Sequence, residues 1–76
     1  MITLYINELV LIRTTDDDMV LGVHNGQEFI RDSGEIIDNV SRVGLMYHTV
    51  DDNGINQRSR INWHRPEKLT IKSFDE

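Results

Sequence analysis

The residues best equipped for chemistry lie in one stretch, Gln57-Arg58-Ser59-Arg60-Ile61-Asn62-Trp63-His64-Arg65. Arginine beside an aromatic ring suits cation–π contact and base stacking. Trp, Tyr and Arg are also the residue types that dominate protein-interface hot spots. Tyr47 joins the group through the hairpin register derived below, which sets it opposite Arg60. Tyr47, Arg58, Arg60, Trp63, His64 and Arg65 are therefore the first candidate partner-binding face, aromatic and basic. The competing role is structural, with Trp63 filling the core and the arginines balancing acidic loops across strands.

A second group is acidic. Asp16-Asp17-Asp18 and Asp51-Asp52 flank or form turns, and with Asp38 they make an acidic face if the fold brings the loops to one end. Such a face would contact a basic partner. Calcium is a poor fit, because it takes six or more oxygens from spaced ligands with a glycine at the sharp turn, whereas three consecutive side chains diverge. His24, His48 and His64 are too scattered for the convergent set that zinc requires. The sequence contains no cysteine, no G-x-S-x-G elbow and neither glycine-rich phosphate loop, so the known nucleophile and nucleotide signatures have no residues to act through. These readings assign no catalytic residue, no metal and no cofactor.

The elements that must position these groups read mainly as strands. Ile2, Leu4 and Ile6 alternate with Thr3 and Tyr5. Glu8 to Thr14 is a second strand, with Asn7-Glu8 as a kink and Leu9 to Ile12 apolar on both faces. Thr14 to Asp18 is a polar turn. Met19–His24 and Gln27–Asp32 flank Asn25-Gly26, and Val43–Asp52 and Ile55–His64 flank Asn53-Gly54. Asn-Gly between β-rich runs signals a two-residue type I′ hairpin, whose register follows from its loop length. The first hairpin then pairs His24 with Gln27, Gly22 with Phe29 and Leu21 with Ile30. The second pairs Val50 with Gln57, His48 with Ser59 and Met46 with Ile61. Asp32-Ser33-Gly34 is another turn, Glu35–Val40 is a short strand or one helical turn, and Leu69 to Ser73 is a closing strand.

Six or seven short strands in 76 residues imply one mainly-β domain spanning residues 1–76, either a small barrel of SH3-like or OB-like form or a two-sheet sandwich. Closure into a barrel is expected because open edges invite aggregation. A chain this short buries only about 60% of the surface it exposes when unfolded, which favours work done on a surface over work done in a deep cleft.

Net charge is −5 and uneven: residues 1–54 hold ten acids and three bases, residues 55–76 three acids and five bases. The acidic whole disfavours non-specific nucleic-acid binding, while the basic C-terminal third keeps it available as an alternative. The absence of cysteine favours a reducing compartment, and no leader or membrane-length apolar run is read. The location expected is cytoplasmic, the host cytoplasm for a viral chain. In length and acidity the chain resembles the small inhibitor and anti-defence proteins made by phages, some of which offer carboxylates as phosphate mimics to nucleic-acid-handling enzymes. That likeness is one of size and charge, with no shared motif. The reading that follows is a non-enzymatic protein-binding module. A nucleic-acid-binding barrel using the basic hairpin and an oligomer-forming structural protein are the alternatives.

Overall fold

A computed structural model describes residues 2–50 and 57–75, with 47–50 and 57–59 described by backbone alone. The strands are β1 (Ile2–Tyr5), β2 (Val10–Thr14), β3 (Met19–His24), β4 (Phe29–Arg31), β5 (Ile36–Ile37), β6 (Val40–Val50), β7 (Gln57–His64) and β8 (Leu69–Lys72). A single 3₁₀ turn, Pro66–Lys68, starts with the chain's only proline, whose missing N–H costs nothing at that position. Glu35–Val40 resolves to the short strand β5 followed by the start of β6, and among the described residues the one helical turn lies instead at Pro66–Lys68.

The strands form two sheets. β1 and β8 pair in parallel, Ile2 with Leu69 and Leu4 with Ile71. The other six run in the order β5-β4-β3-β2-β6-β7, every neighbouring pair antiparallel. The chain passes from one sheet to the other at Tyr5–Glu8. There Glu8 N–H donates to Tyr5 O and Asn7 takes a left-handed φ of 69°, a conformation that asparagine tolerates better than most residues. The kink expected at Asn7-Glu8 is thus a change of sheet.

The barrel expectation is overturned. Neither sheet closes, because the first and last strands pair with each other and are not available to join the edges β5 and β7. The SH3-like and OB-like barrel forms go with it, and the other expected form stands: a small, mainly-β single domain of two sheets, consistent with a two-sheet sandwich. Its core is the layer between them. Val10, Ile12, Val43, Leu45, Phe29 and Ile37 from the six-stranded sheet are buried together with Leu4 of β1, and Ile2, Leu69 and Ile71 pack against them.

Two hairpin loops share one geometry. Thr14 N–H donates to Asp18 O and Asp17 N–H to Thr14 O; Arg31 N–H donates to Glu35 O and Gly34 N–H to Arg31 O. Each is a three-residue loop whose third residue is left-handed, Asp17 at φ 65° and Gly34 at φ 91°, the usual form for that length. The hairpin at Asn25-Gly26 departs from the two-residue form. His24 pairs with Phe29, Val23 with Ile30 and Gly22 with Arg31, so the loop has four residues. Asn25 Oδ1 accepts from the N–H groups of Gln27 and Glu28, both at 2.9 Å. This side-chain turn competes with the backbone turn that I′ geometry demands, and only Gly26 is left-handed. The shift is by two residues, so no side chain changes face. In the second hairpin Val50 pairs with Gln57, His48 with Ser59 and Met46 with Ile61, the expected register, while Asn53-Gly54 itself lies outside the described residues.

Candidate docking face

The aromatic and basic candidates are divided by strand parity. Arg60 pairs with Tyr47 and Arg58 with Thr49, while Trp63 pairs with Gly44. Successive strand residues point to opposite faces, so Arg60 and Trp63, three apart, do not share one. Arg60 is exposed on the side of the sheet that carries Val43 and Leu45. His64 pairs with Val43, and its Nε2 is buried without a hydrogen-bond partner, beside an open cavity lined by Ile2, Glu67 and Lys68. Arg65 is exposed and precedes the 3₁₀ turn, its carbonyl accepting from Lys68 N–H at 3.0 Å.

The acidic candidates are also spread out. Asp16 accepts from Asn39 Nδ2 at 3.1 Å, and Thr15 N–H donates to Asn39 O, so Asp16–Asp18 and Asp38-Asn39 share one end of the large sheet. Asp17 fills the left-handed loop position, and Asp18 N–H donates to Thr14 Oγ1. Asp51 and Asp52 lie outside the described residues. The strand ends that flank them, Val50 and Gln57, sit at the far end of the 11-residue β6 from Val40, which pairs with Thr14 beside the acidic loop. At about 3.3 Å per residue that is roughly 33 Å away. Among the described residues no group of three or more His, Asp or Glu is placed to hold a metal ion.

The arrangement the structure does bring together is the outer face of the six-stranded sheet, turned away from β1 and β8. The register builds it row by row. Leu21 faces Leu11, Leu11 faces Gly44 and Gly44 faces Trp63. Met46 faces Ile61, and Val23, Ile30 and Ile36 continue the apolar band to β5. Six strands at about 4.8 Å make a band roughly 24 Å across. Met19 (56%), Leu21 (46%), Ile36 (61%), Met46 (40%) and Ile61 (38%) are exposed on it, and Leu11, Val23, Ile30 and Trp63 are half-buried. No carboxylate occupies a described strand position anywhere in the chain, and so none does on this side. Its charges are Arg13 and Arg42, which face each other at one margin. The Arg13 guanidinium lies 4.7 Å from the Trp63 ring centroid, close enough for cation–π attraction, and Arg42 Nη1 donates to Ser41 O at 2.8 Å.

Gly44 explains how Trp63 lies down on this face. A Cβ there would stand 2.8 Å from Ile61 Cγ2 and 3.0 Å from Trp63 Cζ3, so the missing side chain is the seat for both. Of the candidate residues read from sequence, only Trp63 is shown on the band. Met19, Leu21, Ile36, Met46, Ile61, Gly44 and Arg13 were missed. The available signal was β3, where Met19, Leu21 and Val23 are apolar at one parity and Val20 at the other. A strand apolar on both faces needs a second apolar cover.

The fold and this face together define a small two-sheet β domain that leaves one sheet surface apolar and uncovered. Comparison with protein-family models, with curated proteins and with solved structures finds no match to this chain.

Proposed function

We propose that this chain is a non-enzymatic protein-binding module whose working surface is the outer face of the six-stranded sheet. The observation that carries the reading is the continuous apolar band from Ile36 to Met46, exposed at five large side chains. At roughly 100 Å² each, with smaller contributions from the half-buried members, the band presents on the order of 600 Å², the upper end of the largest patch that monomers show. Its chemistry is aliphatic, with a pair of arginines at one margin. That suits an apolar protein surface better than a phosphate backbone, which would call for many spread cations. Occupying a partner's surface in this way is how a small inhibitor or adaptor acts, and a cytoplasmic setting fits it.

The test is capture by tagged protein under nuclease treatment, comparing the parent with Leu21→Glu, Ile61→Lys and Arg60→Ala. The expected result is a stoichiometric polypeptide held by the parent and by Arg60→Ala, and weakened at least tenfold by the other two. A polypeptide held equally by Leu21→Glu and Ile61→Lys removes the outer face as the working surface.

A further inference from the structure

We infer that the polypeptide covering the outer face is a second copy of this chain, stacked sheet on sheet across a two-fold axis. The inference rests on the docking reading above and names its occupant. The first support is area. Two faces of on the order of 600 Å² each bury about 1,200 Å² together, which reaches the range of specific, stable interfaces.

The second support is charge. Two chains of net −5 repel wherever carboxylates meet, and the described strand positions of this face carry none. Two copies meeting across this face therefore bring no described strand carboxylates together, as holds for every described strand of the chain. Arg13 and Arg42 share the end row of the band with Met19, and the Arg13 guanidinium lies over the Trp63 ring.

The third support is the balance of apolar residues. Among the described residues the core holds seven buried hydrophobic residues with five more packed against them, and the outer band holds a further nine that are exposed or half-buried. A chain this short, with nine apolar side chains on its outer face, gains a second core by oligomerisation. A two-fold axis makes this self-complementary automatically, since the same patch serves both partners. Two twisted sheets then pack about 10 Å apart with strands inclined by roughly 30°. Each copy contributes its band to a second core.

The experiment is sedimentation equilibrium on the whole chain over a concentration series reaching roughly 200 µM, a range that reports a micromolar dimer. It compares the parent with Leu21→Glu, Ile61→Lys and Asp17→Asn, each checked for a folded circular dichroism spectrum. The expected result is a parent with twice the 8.9 kDa monomer mass, an unchanged Asp17→Asn protein, and at least a tenfold weaker dimer in each of the two face variants. A parent that stays monomeric throughout overturns the second-copy inference. If capture of another polypeptide still depends on Leu21 and Ile61, the docking reading stands without it. A dimer that persists in both face variants places the contact elsewhere and overturns the inference too.

Discussion

Gly22 is the position where one methyl group should cost most. It pairs with Val10 on one side and Arg31 on the other. A Cβ built there would lie 2.4 Å from the backbone oxygen of Ile30 and 3.0 Å from Ile12 Cδ1. Carbon and oxygen tolerate about 3.3 Å, so β4 must retreat by almost 1 Å, and the obstacle is backbone with no rotamer to change. Such a shift stretches ladder bonds near 2.9 Å beyond useful length. Weakening two or three of them, at about 1 kcal/mol each, gives a loss of roughly 2–3 kcal/mol. The relief of glycine's extra unfolded-state entropy returns somewhat less than 1 kcal/mol. The net, about 2 kcal/mol, is a large part of the 3–5 kcal/mol available to a core this small. At about 4–8 °C per kcal/mol for a domain of this length, Gly22→Ala should melt roughly 8–16 °C below the parent. Thermal denaturation followed by circular dichroism, with a urea titration to confirm an unchanged slope, measures it. A melting point within about 4 °C of the parent would refute the reasoning, because β4 would then have moved without losing its bonds.

The remaining expectations concern the two matched loops and one histidine. Asp17 and Gly34 occupy the same left-handed position in loops of the same geometry, so substitutions there should have opposite signs. Gly34→Ala should lose about 1 kcal/mol and Asp17→Gly should gain up to about that amount; urea midpoints that shift in the same direction would contradict this. His24 packs edge-on against Phe29 at 4.7 Å, and its Nδ1 accepts from Gly26 N–H at 3.0 Å. Burial lowers its pKa below the ordinary 6.5, with Glu28 opposing the shift. The folded state thus disfavours the proton that the unfolded chain accepts. The contribution of His24 to stability is full above pH 6.5 and declines as the pH falls from there through the folded pKa. An NMR titration of the ring placing its pKa at or above 6.5 would disprove the assignment, and His24→Gln should flatten the pH dependence of the urea midpoint over that window.

Much of the local structure was legible because it depends on neighbours in sequence. The β6–β7 register followed from Asn53-Gly54 alone, and Thr14–Asp18 and Asp32–Gly34 were readable as turns from their composition. The same Asn-Gly signal gave the wrong loop length at Asn25, where a side-chain oxygen captured two backbone N–H groups and Phe29 gained its place in the core opposite His24. Local bonds of equal strength decide between those loops, and the dipeptide does not encode which will win. Closure was not legible for a different reason. Whether β5 meets β7 depends on what β1 and β8 do, and the paired residues of those strands, Ile2 with Leu69 through Tyr5 with Lys72, come from opposite ends of the chain. No local pattern records that they pair in parallel with each other.

The site was obscured by the same missing strand order. Sequence proximity grouped Trp63 with Arg60, but parity places them on opposite faces, and parity is the stronger constraint because one peptide step reverses a side chain. Leu21 with Ile30, and Met46 with Ile61, were each visible as same-face sets within a hairpin. What joins the two hairpins is β2, which lies between β3 and β6 and contributes Leu11 to the gap. The apolar outer face is therefore a property of the order β3-β2-β6-β7 rather than of any segment. Each strand taken alone shows an ordinary number of exposed apolar residues, which need no explanation singly. Only the assembled sheet turns them into one continuous apolar surface.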